Sequence, residues 1–307
     1  MGLSMISIIL FHQKFIGGFP TGVFHCCGYW GVDVFLMLSG IGMVFSLQTH
    51  SLKRFYKRRF VRLFPTCLFC GVLKCCALYF MDESTFWDSI SISKLLCFDL
   101  WFIRAIIFYY AISPLLFYAI QKLPKITLVV LAIVYFSNGL FFRVHDAGSF
   151  TWIIERLFVF SLGMFLALKK EYLNRMTVKI SVFFLCVAMV IVLLEGRPVT
   201  KPTLWTTLMF SVALCCIGLL NIGVALLSHC KKFILFIPNM FGKISLELYL
   251  FHEFVFYWGN YYLNNCVHPA LLFSACLLLC ICLSFTSQKV VKFVNLDKSS
   301  PTHPVPA

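Results

Sequence analysis

A histidine and an aspartate near the start of this chain could together remove a proton from a hydroxyl group. His12 ends the first apolar stretch, and Asp33 lies early in the second one. An imidazole can act as a general base, and a neighbouring carboxylate can hold its ring in the required tautomer. A single histidine on an apolar face more often makes a packing contact. The catalytic interpretation of His12 therefore depends on Asp33 lying at the same depth.

Further polar residues share one placement, because each lies at or near the same predicted end of an apolar segment. They are Trp101, Arg104, Glu155, Arg156, His252 and Glu253. Ionisable groups at membrane depth are costly and usually face a bundle interior or a water-filled path. The sequence therefore predicts one shared polar cavity. The alternative is that each side chain snorkels to a nearby interface, and for Glu155 and Arg156 the residues alone leave both interpretations open.

A basic cluster lies between the second and third apolar segments. Arg54, Arg58 and Arg62 are one turn apart on one face of a helix, with Arg59 beside them. Guanidinium groups bind phosphate oxygens in a bidentate fashion, so this face could hold a phosphate-bearing ligand. The alternative is an anchor on anionic lipid headgroups, and the residues alone favour that alternative.

The elements that must position these side chains are membrane helices. Of the 307 residues, 61% are hydrophobic and 12% are charged, whereas soluble domains are about 45–50% apolar. A span needs roughly 20 apolar residues, and every backbone group must be satisfied within the protein. The sequence therefore predicts an all-α, polytopic membrane protein with a bundle of about ten transmembrane helices. The apolar segments are 3–16, 29–48, 60–80, 100–120, 126–142, 151–168, 177–194, 203–227, 234–258 and 270–288.

The basic residues in the loops predict how the chain is oriented. One set of alternate loops contains 17 lysines and arginines and the other contains 5. Because positive loops stay in the cytoplasm, we expect both termini to be cytoplasmic, in a multi-pass protein of the cell inner membrane. The net charge of +14 then reflects contact with the lipid bilayer, and we expect no nucleic-acid partner. Residues 1–292 are predicted to form one transmembrane domain, and the proline-rich residues 293–307 a disordered cytoplasmic tail.

The fifteen cysteines do not indicate a disulfide framework or a metal site. Most lie inside apolar segments, where a thiol behaves as a small hydrophobic group. Cys67 and Cys70 have the spacing of a zinc knuckle, but no matching histidine pair accompanies them. We therefore expect no bound metal.

Six short motifs occur in order along nearly the whole chain, and together they are specific. They are Leu10-Phe11-His12; Gly31-Val32-Asp33-Val34-Phe35 with Leu38-Ser39-Gly40; the basic stretch from Phe55 to Pro65; Leu100-Trp101-Phe102-Ile103 with Tyr110 and Pro114; Arg156-Leu157 with Leu162-Gly163-Met164; and Ile244-Ser245 with Tyr249-Leu250 and His252. This series resembles the acyltransferase-3 family, whose members are membrane-bound O-acyltransferases acting on sugars and related hydroxyl acceptors.

The resemblance implies a reaction and a role for each candidate residue. An acyl group, most often acetyl in this family, would pass from acyl-CoA as co-substrate to a carbohydrate acceptor in a surface polysaccharide or a lipid-linked precursor. His12 and Asp33 would be catalytic, and a basic trio would bind the CoA phosphates. That trio is Arg58, Arg59 and Arg62. The acceptor side would be lined by Trp101, Arg104, Arg156 and His252, and Arg104 or Arg156 could stabilise the developing oxyanion.

One position departs from the family pattern. The family usually has an arginine eleven residues before its first histidine, and Met1 occupies that position here. The stretch before His12 is also short for a span, so we expect the true start to lie upstream. Two other functions stay open: a transporter or flippase of a glycan precursor, and a catalytically impaired member of the family.

Overall fold

The computed structural model confirms the all-α prediction over the part of the chain that it describes. These residues are 1–16, 27–82, 91–141, 149–169, 182–187, 190, 202–229, 235–263 and 266–295. Within these ranges the regular structure is helical and contains no strand.

Eleven helices can be numbered in chain order among these residues. They are α1 (Gly2–His12), α2 (Cys27–Thr49), α3 (Leu52–Asp82), α4 (Ile92–Leu95), α5 (Trp101–Lys122), α6 (Pro124–Phe141), α7 (Ser149–Leu168), α8 (Pro202–His229), α9 (Phe236–Lys243), α10 (Ser245–Leu263) and α11 (Pro269–Asn295). A 3-10 helix, Gln13–Phe15, follows α1 directly.

Five of the described helices are long and apolar enough to cross a membrane. The spans are Gly28–Thr49, Leu52–Phe80, Trp101–Lys122, Phe150–Leu168 and Pro269–Phe293. Shorter apolar helices are Gly2–His12, Pro124–Gly139 and Leu204–Gly218. A multi-pass membrane protein is thus confirmed, and a total of about ten spans stays a prediction. Most of the predicted segment 177–194 lies outside the described residues.

Three predicted segments have different ends in the structure. Helix α3 begins at Leu52 rather than at residue 60, so the basic cluster and the apolar span share one helix, with Pro65 inside it. The predicted segment 234–258 is two helices, which meet at Ile244. Gly242 lies near the end of α9, and glycine favours the end of a helix. Glu247 lies in the first turn of α10, where an acidic residue favours the start of a helix. Helix α11 continues to Asn295, so residues 293–295 are helical, and 296–307 lie outside the described residues.

The chain packs as two compact units, which are described separately below. Unit 1 contains residues 1–11, 21–55 and 100–243, and therefore α1, α2 and α5 to α9. Unit 2 contains residues 12–20, 56–99 and 244–307, and therefore the 3-10 helix, nearly all of α3, and α4, α10 and α11.

In unit 1, two glycines bring the backbones of α2 and α7 into direct contact. A Cβ atom on Gly40 would collide with the carbonyl oxygen of Phe160, and a Cβ atom on Gly163 would collide with the carbonyl oxygen of Met37. Small residues permit this approach between membrane helices. Asp33 of α2 pairs with Arg156 of α7, and each of these residues lies on the N-terminal side of the close approach in its own helix. Helices α2 and α7 therefore run in the same direction.

In unit 2, the segment after α4 lies along the middle of α3. Gly71 leaves no room for a Cβ atom beside the carbonyl oxygen of Leu95. The thiol of Cys97 donates to the carbonyl oxygen of Cys67 at 3.4 Å, and Lys74 forms an ion pair with Asp99. Helices α10 and α11 approach closely where Gly259 meets the sulfur of Cys276.

The close approach of α2 and α7 predicts different effects for two glycines of the same helix. Gly40→Ala should lower the free energy of unfolding by about 1–3 kcal/mol, because the added methyl group overpacks a backbone contact. Gly42 is the matched control, because a Cβ atom added there would have nothing within 4 Å. Gly42→Ala should therefore be neutral or slightly stabilising through helix propensity. Thermal unfolding of the purified protein in detergent measures both. Equal unfolding midpoints for the two variants would contradict this packing.

Candidate active site

In unit 1, Asp33 of α2 and Arg156 of α7 form a buried ion pair. Oδ1 of Asp33 is 3.5 Å from Nε of Arg156, and both side chains are less than 10% exposed. Asp33 lies about two turns before Gly40 on α2, and Arg156 lies about two turns before Gly163 on α7, so the close backbone approach at these glycines sets the separation of the two charged residues. Neither charge would be stable alone at this depth.

The guanidinium group of Arg156 also lies over two aromatic rings. Its Cζ is 5.1 Å from the ring centroid of Trp101 and 5.9 Å from that of Trp152, and the two indoles contact each other edge to face at 5.7 Å. Such cation–π contacts are worth about 2 kcal/mol when they are desolvated. Arg156 is therefore fixed by a carboxylate and by two indole rings.

A small polar cavity adjoins the ion pair. Its volume is about 10 Å³, close to the minimum that one water molecule needs. Asp33, Tyr135, Glu155, Arg156, Val159 and Met209 line it. Glu155 is buried, and the hydroxyl group of Tyr135 donates to the carbonyl oxygen of Thr206 at 3.2 Å. The ionisable side chains that line the cavity are thus two carboxyl groups and one guanidinium group.

In unit 1 the structure brings together four of the residues predicted to line a polar cavity, and it leaves one out. Asp33, Trp101, Glu155 and Arg156 meet there. Arg104 is exposed instead. Sequence reasoning missed Trp152, although its position one helical turn before Arg156 could have suggested that the two side chains share a face.

In unit 2, His12 contacts His252 rather than standing alone. The two ring centroids are 4.6 Å apart with an interplanar angle of 74°, and His12 also stacks on Phe15 at 5.6 Å. His252 is fully buried. Its Nδ1 is 2.7 Å from the carbonyl oxygen of Tyr249 and 3.2 Å from that of Leu248. His12 and Asp33 belong to different units, and their predicted pairing stays a prediction.

The three arginines of the basic trio lie on α3 in unit 2, and their side chains differ in how far they are exposed. Arg58 and Arg62 are exposed and Arg59 is half-buried. Arg62 interacts electrostatically with the buried carboxylate of Glu247, which Gln288 also hydrogen-bonds. Sequence reasoning missed this carboxylate, although an acidic residue inside an otherwise apolar segment is itself a signal.

The described residues contain no group of three or more histidine, cysteine, aspartate or glutamate side chains placed to hold a metal ion. Cys67 and Cys70 each interact with a backbone carbonyl or a neighbouring thiol.

The ion pair of unit 1 predicts strong coupling between its partners. Asp33→Asn or Arg156→Gln alone should each destabilise the protein by about 3–5 kcal/mol, because each leaves one buried charge without its counter-ion. The double variant should lose far less than the sum of the two. A double-mutant cycle on thermal unfolding in detergent measures this coupling. Strictly additive losses would show that the two charges do not stabilise each other.

The match to a known family agrees with the helical fold and the polar residues described above. The family model for the acyltransferase-3 domain, described as an acyltransferase domain, matches residues 2–288. No curated protein matches the chain, and no solved structure does. The matched range covers nearly the whole chain, including His12, the ion pair, the basic trio and His252. This chain therefore belongs to the acyltransferase-3 family and is a multi-pass membrane acyltransferase.

Proposed function

We propose that this protein transfers an acyl group, specifically acetyl, from acyl-CoA to a hydroxyl group of a sugar in a surface polysaccharide or a lipid-linked precursor. The observation that carries the proposal is the contact between the imidazoles of His12 and His252, in a chain whose family transfers acyl groups. Neutral imidazole is the side chain best suited to take a proton from a hydroxyl group near neutral pH.

His12 is the general base in this proposal. The acceptor hydroxyl gives its proton to His12 while its oxygen attacks the thioester carbonyl carbon. The carbon–sulfur bond then breaks, and the CoA sulfur takes the proton back from His12. The products are an ester and CoA with a free thiol, and the histidine returns to its neutral form. Asp33 supports the reaction by holding Arg156 in place.

Fixed positive charge supports the step in which the carbonyl oxygen becomes negative. A buried guanidinium in a site that excludes water stabilises such an oxyanion far better than an exposed one does. Arg156 is buried between Asp33 and two indoles, and Arg104 is exposed. This difference favours Arg156 for the role. The aromatic faces of Trp101 and Trp152 are also suited to pack against the apolar face of a sugar ring.

The basic trio supplies the donor site in this proposal. The trio lies on the predicted cytoplasmic side, where acyl-CoA is found, and its arginines can bind the CoA phosphates through paired hydrogen bonds. Arg58 is exposed and available to solvent. The protein would then lie in the inner membrane with both termini in the cytoplasm, as the loop charges predict.

Replacement of the proposed base tests the reaction itself. His12→Ala should reduce acyl transfer by about 10²–10⁴-fold, which is the contribution of a positioned base. The measurement is transfer of label from acetyl-labelled CoA to the glycan and lipid fractions of membranes that contain the protein. His268→Ala, which removes an exposed histidine, is the matched control and should keep wild-type transfer.

Two results would contradict the proposal. Label transfer that His12→Ala leaves unchanged would remove His12 from the mechanism. Movement of a glycan precursor across the membrane, with no acylated product from the wild-type protein, would instead support a transporter.

Charge-preserving substitutions separate a CoA site from a lipid anchor. Arg58→Lys and Arg59→Lys keep the positive charge but lose the planar guanidinium. The acyl-CoA concentration that gives the half-maximal rate should therefore rise about ten- to a hundredfold. This change corresponds to the loss of one charge-assisted hydrogen bond of roughly 1.5–3 kcal/mol. Arg175→Lys, at another arginine of the predicted cytoplasmic side, is the control. An unchanged requirement for acyl-CoA in both Arg58→Lys and Arg59→Lys, with normal membrane insertion, would return the trio to the role of an anchor.

A further inference from the structure

The hydrogen bonds of His252 determine which of its ring nitrogens carries a proton. Nδ1 lies 2.7 Å from the carbonyl oxygen of Tyr249 and 3.2 Å from that of Leu248. Carbonyl oxygens only accept hydrogen bonds, so Nδ1 must be the protonated nitrogen. In the neutral ring the lone pair is then on Nε2.

The other ring nitrogen, Nε2, is buried and has no hydrogen-bond partner among the residues that the structure describes. Nε2 of His252 makes no hydrogen bond in the described part of the chain, although the residue is fully buried. A buried acceptor without a donor costs about 1–3 kcal/mol. Nε2 of His252 is therefore a hydrogen-bond acceptor that the helix backbone holds in place, and no donor reaches it within the described residues.

The group that could supply the donor is the ring of His12. Its centroid is 4.6 Å from that of His252, edge to face, so a rotation of the His12 ring can bring one of its N–H groups toward Nε2. Among the described residues, His12 lies on the element packed against His252. Tyr249, on the same helix as His252, is a second titratable neighbour, with its ring centroid 5.4 Å away. The side chain of Gln13, beside His12, is also buried, and its Nε2 has no hydrogen-bond partner among the described residues.

We propose that His252 is the positioning residue for His12. In this proposal Nε2 of His252 accepts a hydrogen bond from one ring N–H of His12. The other ring nitrogen of His12 then carries the lone pair that takes the proton from the hydroxyl group of the acyl acceptor. This inference rests on the proposed acyl transfer. It assigns to a neutral imidazole in unit 2 the orienting task that a carboxylate performs in many hydrolases. A neutral acceptor also stabilises the imidazolium form of His12 without burying a second permanent charge.

Two substitutions at one position separate the two nitrogens of His252. In His252→Asn, the amide can still donate to the carbonyl oxygens of Tyr249 and Leu248, but the acceptor at the position of Nε2 is lost. In His252→Gln, the longer side chain can place its carbonyl oxygen near that position. Neither side chain titrates near neutral pH. Asparagine therefore removes the proposed hydrogen bond with His12. Glutamine restores this hydrogen bond but cannot act as a base.

The expected result is a difference between the two variants in turnover and in pH dependence. For His252→Asn, kcat for acetyl transfer should fall about ten- to a hundredfold, with little change in the KM for acetyl-CoA. The acidic limb of the plot of rate against pH should move to lower pH, because the imidazolium form of His12 loses its hydrogen-bond partner. For His252→Gln, kcat and the acidic limb should stay close to wild type. Thermal unfolding in detergent checks that both variants fold, and His268→Asn is the matched control at an exposed histidine.

Each alternative outcome overturns a different statement. Equal loss of kcat in both folded variants, with disappearance of the acidic limb, would make His252 the base and refute a positioning role. Wild-type kcat and an unshifted limb in His252→Asn would make it a packing residue. Absence of acetyl transfer by the wild-type protein would refute the proposed function instead, and the two failures are therefore distinguishable.

Discussion

The backbone contact between α2 and α7 is the constraint on which unit 1 depends. Lipid offers no water to a buried charge, so Asp33 and Arg156 can ionise only if their helices keep them together. Gly40 and Gly163 meet this requirement because neither has a Cβ atom to separate the helices. Trp101 and Trp152 then cover the guanidinium. The ion pair, the indoles and the cavity are thus consequences of one close helix approach.

Unit 2 fixes its polar groups by a different means. The carbonyl oxygens of α10 already accept hydrogen bonds within the helix, yet each has a second lone pair, and Nδ1 of His252 uses two of them. A helix is rigid, so the ring is held without any charged partner. Among the described residues Nε2 of His252 has no hydrogen-bond partner, and this is the cost of the arrangement. In native proteins such unsatisfied groups are explained by stored strain, by a catalytic role or by a bound water or ion.

In the proposed function, the basic trio serves two purposes. Positive charge at the cytoplasmic side orients the chain, and the same charge can bind the phosphates of a soluble co-substrate. Glu247 alters this balance, because its carboxylate interacts with Arg62. The carboxylate also lies in the first turn of α10, where it complements the helix dipole.

The sequence by itself determined the helical class, the membrane location and the family, because apolar length and motif order are local properties. It also identified His12, Asp33, Trp101, Arg156 and His252 as unusual at their positions. Pairing was decided only by the tertiary structure: Asp33 has Arg156 as its ion-pair partner, and His12 has His252 as its ring contact. Depth along a helix can be counted from the sequence, but the face that a helix turns toward its neighbours depends on packing such as the Gly40–Phe160 contact. Rotation about the helix axis therefore decided the partners, and no local pattern encodes it.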